Sequence, residues 1–223
     1  PVTIANRPGA GGAVGYRHVA AQKPDGRSLI WMSASIATAH HMGLLALDMS
    51  AFETVSRVLV ESPLVAVRSD SPWRTLRELI TDAAARPDEI TVAHSGRGSD
   101  THFSSLALFR IAKVELWDVP LPRSHVVSLL LGGHVDVIVD LPASLDSPAR
   151  AGSVRLLASL SPLRDSGNPD VPTAQEQGYP VSLSSWRGIA APRHTPLEVI
   201  VTLEAAIRET VQDPVFGRAM RRL

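Results

Sequence analysis

Short apolar runs alternate along the chain with stretches of helical periodicity. "PVTIA" (1–5) reads as a strand, and "AVGYRHVAAQ" (13–22) as a helix with Val14, His18, Val19 and Ala21 toward one side. "PDG" (24–26) is a turn signal, and "SLIWMSAS" from residue 28 a buried strand ending in small polar residues. "PLVAVR" (63–68) is a further strand, followed by the turn signal "SDSPW". In "TLRELITDAAARP", Thr75 and Glu78 have capping-box spacing, Leu76, Leu79, Ile80 and Ala83 form the apolar stripe, and Pro87 stops the helix.

The unit then repeats. Residues 90–94 form a strand, a small-residue loop follows, and a helix places Phe103, Leu106, Ala107 and Ile111 on one face with Ser99 as its N-cap. "HVVSLLLGGHVDVIVDLP" gives a short helix ended by Gly132 or Gly133, then a strand closing on Asp140. "VRLLASLS" is a strand, "VPTAQEQGYP" a short helix with Thr173 and Glu176 in capping-box spacing, and "SSWRGIAAP" a strand. "TPLEVIVTLEAAIRETVQD" closes the pattern as a long helix capped by Thr195, with Pro196 in its first turn and Glu198 completing the box. Alternation of this kind predicts an α/β fold with mainly parallel sheets flanked by helices.

Composition narrows the partners. The 223 residues hold 22 basic and 22 acidic side chains, so bulk charge directs the chain to neither nucleic acid nor a membrane surface. With no cysteine, disulfides, thiol nucleophiles and cysteine metal sites are excluded. No apolar run approaches the ~20 residues of a membrane span, and "PVTIAN" lacks the features of a signal peptide.

"NRPGAGGAVG" (6–15) raises the question of a nucleotide loop. Its glycines are Gly9, Gly11, Gly12 and Gly15, and Val14 stands where the dinucleotide fingerprint requires its third glycine. No Lys-Ser or Lys-Thr supplies a P-loop either, so the stretch reads as a strand-to-helix turn that needs positive φ. The adjacent His40 and His41 point apart on any regular element and have no companion carboxylate at ligand spacing, so no metal is expected there.

Ligands of open α/β sheets settle beyond the carboxyl ends of strands. The residues in such places are Asn6 to Gly12, Ser33 to Ser35, Ser95 to Thr101, and Asp140. A serine and glycine loop entering a helix offers N–H groups, hydroxyls and the positive end of the helix dipole, which suits a carboxylate; equally, Ser99 caps the helix and Ser95 and Gly96 only turn. Asp140 meets a ligand donor, or caps the segment "LPASLDSPARAG". Neither Ser95 nor Ser99 has a nucleophile-elbow frame, although His94 and His102 flank the loop.

"PVTIANRPGAGGAVG", "KPDGRSL", "HSGRGSDTHF", "LLGGHVDVIVD", "DVPTAQEQGYP" and "SSWRGIAAPRHTP" resemble, in order, the substrate-binding proteins of tripartite tricarboxylate transporters, the TctC or Bug family. The resemblance implies a periplasmic receptor of the two-lobed, Venus-flytrap, type II periplasmic-binding-protein fold. It implies no catalysis, no cofactor and no metal, a small carboxylate held in an interlobe cleft, transporter subunits in the membrane as partners, and a monomer. Carried over onto this chain, the ligand contacts are Ser33, Ala34, Ser35, Ser95, Gly96, Gly98, Ser99, Thr101 and Asp140. Lobe 1 is then expected over 1–68 and 188–223, and lobe 2 over 69–187.

The family pattern also has a strand, a P-G-G loop and a helix before "PVTIAN", and V-P-Y-K-G where this chain reads "VPLPRSH". Two other readings therefore stand beside the receptor: a truncated member that no longer binds, and a small α/β enzyme acting on an anionic substrate. A serine and a histidine within about 3 Å, oriented by a third group, would mark the enzyme.

Overall fold

A computed structural model describes residues 2–220; Pro1 and residues 221–223, expected in the two segments of lobe 1, lie outside the described residues. The chain divides into two compact units, one of Pro1–Val60 with Trp186–Leu223 and one of Glu61–Ser185.

In the first unit, helix α1 (Ala13–Ala20), strand β1 (Ile30–Ser33), helix α2 (Ser35–His41) and strand β2 (Phe52–Glu61) precede the crossing; strand β8 (Ser185–Pro192) and helices α7 (Leu197–Gln212) and α8 (Pro214–Met220) follow it. The sheet order is β1-β8-β2, with β1 antiparallel to β8. Its core gathers Ala13, Tyr16, Val19, Met32, Ile36, Ala39, Leu45, Phe52 and Ala190. The buried face of α1 is thus Ala13, Tyr16 and Val19, whereas Val14 of the predicted stripe is exposed. Tyr16 decides the orientation, because its large ring packs edge-on against Phe52.

The predicted strand "PVTIA" does not form. Val2 and Ile4 are exposed, and no strand among the described residues pairs with them. The glycine stretch is a turn in which Gly9, Ala10, Gly11 and Gly12 all have positive φ. At Gly12 (φ +93°) a Cβ would also lie 3.0 Å from Cε2 of Tyr16, so glycine is required twice over. The long closing helix α7 is present, but none of its residues is buried. Pro196 stands at its N-cap position, and Thr195 donates its hydroxyl to the Pro192 carbonyl instead of capping.

The second unit is a five-stranded sheet in the order β5-β4-β6-β3-β7. Its elements are β3 (Leu64–Arg68), α3 (Leu76–Ala85), β4 (Thr91–His94), α4 (Asp100–Ala112), β5 (Trp117–Pro120), α5 (Val126–Leu131), β6 (Val137–Asp140), α6 (Pro142–Arg150) and β7 (Val154–Ser159). Side chains alternate across it: Val65, Val67, Val137 and Val139 join one core with Leu76, Leu79 and Leu108, while Leu64, Ala66 and Ile138 join another with Val126, Leu130 and Leu145. Both faces are therefore covered, which accounts for the unbroken apolar runs of β3 and β6.

The sheets are mixed rather than mainly parallel. β4 runs parallel to β5 and β6, but β3 is antiparallel to both β6 and β7. No crossover helix precedes β3, since only residues 62 and 63 separate it from β2, and so it is not constrained to run parallel. β3 lies at the heart of the second unit although the sequence reading placed it before the crossing; four fully buried side chains need neighbours on both edges and both faces.

α3 has the expected stripe, and its capping box closes: the Glu78 N–H donates to Thr75 Oγ1 at 3.1 Å and the Thr75 N–H to Glu78 Oε2 at 3.3 Å. α4 shows the opposite face to the one expected. Thr101, Ser104, Ser105, Leu108 and Phe109 are buried, and Phe103, Leu106 and Ile111 are exposed. The segment predicted as a helix at Thr173–Glu176 is a turn, although its reciprocal side-chain bonds are made.

Candidate functional site

Parallel pairing brings the carboxyl ends of β4, β5 and β6 to one edge of the second unit's sheet, with His94 opposite Pro120 and Ala93 opposite Ile138. The loop after β4 turns sharply. The Gly96 N–H donates to the His94 carbonyl at 2.8 Å, the Ser99 N–H to the Gly96 carbonyl at 3.2 Å, and Gly96 and Gly98 both have positive φ. Ser99 caps α4 as expected, accepting the His102 N–H at 3.1 Å.

Three hydroxyls meet inside this loop. Thr101, almost fully buried, accepts the Ser95 N–H at 3.0 Å, and its Oγ1 lies 2.7 Å from Ser95 Oγ and 3.1 Å from Ser99 Oγ. Hydroxyls bonded to one another can rotate to face an incoming anion, and here they stand at the positive end of a 13-residue helix.

Asp140 ends β6 at the same sheet edge and is fully buried. Its Oδ1 accepts the Leu141 N–H at 2.8 Å, while Oδ2 has no hydrogen-bond partner among the described residues. Burial pushes its carboxyl above the ordinary aspartate value, against the opposing pull of the Leu141 N–H, Arg123 and the Ser144 hydroxyl. A buried oxygen left over in this way has unused capacity to accept a bond from a ligand or a water.

Sequence reasoning did not find Asp118. His94 is completely buried, with Nε2 2.7 Å from Asp118 Oδ1 and Nδ1 3.2 Å from the Gly96 carbonyl. His102 stacks on it at 4.4 Å between ring centres, and accepts the Gly98 N–H at Nδ1. Burial and the neighbouring His94 hold the His102 imidazole below the ordinary value, with Arg97 adding to this and Asp118 opposing it. Neither imidazole ring is hydrogen-bonded to Ser95 or Ser99, whose hydroxyls turn to Thr101; the serine–histidine pair that would mark a hydrolase is not made.

Ser33, Ala34 and Ser35 belong to the first unit, at the step from β1 into α2. There Ser33 Oγ donates to Ser35 Oγ at 2.9 Å, the Ser35 N–H donates to Ser33 Oγ at 3.1 Å, and the Tyr16 hydroxyl lies 2.9 Å from Ser35 Oγ. Tyr16 was placed on a helix by periodicity, but nothing local signals that its hydroxyl reaches residues 17 and 19 positions away. The glycine turn passes close by, since a Cβ on Gly12 would stand 3.6 Å from Ser35 Oγ. Trp186 is half-buried against the first unit's core.

No helix among the described residues is long and apolar enough to cross a membrane. Protein BugT of Bordetella pertussis is 33% identical to this chain over 233 residues, a match spanning 98% of the chain and 69% of BugT. Among solved structures, MatC of Rhodopseudomonas palustris with bound malate is 31% identical, superposes with a TM-score of 0.83, and is matched over 96% of this chain and 74% of its own. A second R. palustris protein, solved with adipate, gives a TM-score of 0.89 at 26% identity, covering 99% of this chain and 75% of its own. These neighbours and the two α/β units place the fold in the type II periplasmic-binding-protein class. Residues 1–222 match the tripartite tricarboxylate transporter family receptor, TctC, and the chain belongs to that receptor family, not to a family of enzymes.

Proposed function

We propose that the protein is a periplasmic receptor that captures a small carboxylate and delivers it to a tripartite tricarboxylate-type transporter. The observation that carries this reading is the Ser95–Ser99–Thr101 hydroxyl cluster at the N-terminus of α4, on the same sheet edge as the unpaired oxygen of Asp140. The ligand carboxylate exchanges the bonds between these hydroxyls for bonds to itself, with Gly96 and Gly98 letting it approach the backbone. Asp140 orients a donor at the far end, directly or through a water. In the first unit, Ser33, Ala34 and Ser35 present a second set of N–H and hydroxyl groups.

Support comes from the malate and adipate held by the two R. palustris proteins, which makes dicarboxylates the first ligands to try. Thermal melting and calorimetry with malate, adipate, succinate and citrate test the proposal. A ligand at 100-fold its Kd adds about 2.7 kcal/mol to the stability of the state that binds it, a readily measured rise in Tm. Replacing Ser95 and Ser99 together with alanine is expected to weaken binding at least tenfold. Unchanged affinity in that variant, or no response to any of the acids, would overturn the assignment.

A further inference from the structure

His94, His102 and Asp118 each offer one ligand atom, and these three atoms lie within 4.8 Å of one another. Two imidazoles and a carboxylate form the donor set that first-row divalent cations favour over Mg2+ or Ca2+. Donors held ~2.0–2.2 Å from a tetrahedral ion stand about 3.3–3.6 Å apart, so a cluster of this size closes on a cation with small side-chain rotations. The three residues come from the end of β4, the first turn of α4 and the middle of β5, so the backbone of the sheet and of the capped helix fixes their separation.

A second observation points the same way. Both nitrogens of the buried His94 ring face oxygen acceptors, the Gly96 carbonyl at one side and Asp118 at the other. A neutral imidazole has a single N–H and both neighbours only accept, so only one of these two contacts holds a hydrogen. The shorter one, Nε2 to the Asp118 carboxylate at 2.7 Å, holds it and aims both donor atoms at one point beside His102. A proton can fill this place, and so can a metal ion.

From this geometry we infer a binding site for one Zn2+-like divalent cation at His94 Nε2, His102 and Asp118, with its open coordination position on the Asp118 side. Asp118 is about a third exposed while His94 is wholly covered, so solvent reaches the cluster from that side. When an ion takes the Nε2 lone pair the ring's single hydrogen moves to Nδ1, where its bond to the Gly96 carbonyl keeps the ring oriented. The inference does not rest on carboxylate binding. His40 and His41 supply no third ligand atom: the cluster is the only metal-competent group of three among the described residues.

The test is titration of the purified protein, free of carboxylates, with ZnCl2 by calorimetry, and with CoCl2 while recording the visible bands that report cobalt geometry and nitrogen ligation. One equivalent of Zn2+ is expected to bind saturably and raise Tm, with cobalt bands showing nitrogen ligands. Asp118→Asn and His102→Gln are each expected to weaken Zn2+ at least tenfold, and His41→Ala to leave it unchanged. Asp118→Asn retains an oxygen for His94 and lies partly exposed, so it reports even if a variant of the buried histidine fails to fold. No saturable binding by the wild-type protein up to millimolar Zn2+ would overturn the inference, leaving a proton between His94 and Asp118. Binding that survives both substitutions would overturn it as well.

Discussion

Thr101→Val tests whether the hydroxyl cluster, rather than packing, holds the loop after β4. Valine has almost the same shape and keeps the buried methyl, so the substitution removes only the oxygen that accepts the Ser95 N–H and joins the hydroxyls of Ser95 and Ser99. A donor left without its partner costs about 1–3 kcal/mol, and each further bond contributes about 0.5–1.5 kcal/mol net. Taking the middle of each range and allowing about 1 kcal/mol back for the added methyl, the expected loss is roughly 3 kcal/mol, or a fall of about 6–12 °C in Tm for a chain of this size. Thr101→Ser is the control. It keeps the oxygen and deletes the methyl, at a cost of about 1 kcal/mol. Calorimetry of the three proteins then ranks them wild type, serine, valine. A valine variant more stable than the serine variant would refute the reasoning and make Thr101 a packing residue.

Gly188→Ala is expected to cost about 1–3 kcal/mol in chemical denaturation, because its Cβ would stand 2.8 Å from the Ser56 carbonyl oxygen, a backbone atom that cannot turn aside; a neutral result would mean that β2 and β8 separate easily. Thr75→Ala removes the cap of α3 and is expected to cost about 1 kcal/mol, with faster amide exchange in the first turn of that helix as the confirming signal. Asp140 has a folded-state pKa above 3.8, so the folded protein binds the extra proton in the window just above that value. Its contribution to stability is complete below the unfolded pKa and is lost as pH rises through the folded one. Stability profiles of wild type and Asp140→Asn should therefore diverge on the alkaline side of that window, and parallel profiles would rule out a raised pKa.

What could be read from the sequence depended on how far the deciding partner lay along the chain. α3 was legible because both its cap and its stripe lie within eleven residues, from Thr75 to Ala85. α4 misled because apolar residues occur on both of its sides, and the face that packs includes Thr101, Ser104 and Ser105; the Thr101 and Ser104 hydroxyls find local partners and so tolerate burial. β2 was missed since its burial does not alternate cleanly over ten residues, and β5 since its four residues are half-exposed and include a proline. Within the site, Ser95, Ser99 and Thr101 could be named from loop chemistry alone. Asp118 is 24 residues from His94 and is aligned with it only by the parallel pairing of β4 and β5, a register that no local pattern encodes.

The strand order of the first unit has a consequence for how the chain acquires its structure. β8 is the middle strand of that sheet, yet it follows β1 by more than 150 positions, with Ile30 opposite Ala190. Until β8 is in place, β1 and β2 have no strand between them and both present open edges. Closing so long a loop as free chain is slow, but β2 ends and β8 begins at the two borders of the second unit, residues 61 and 185. If the second unit condenses first, the intervening 125 residues act as a ready-made clasp that carries β8 to β2, and the first unit then closes across a short distance. Refolding is therefore expected in two phases, with destabilised variants of the second unit slowing both and Gly188→Ala slowing only the later one.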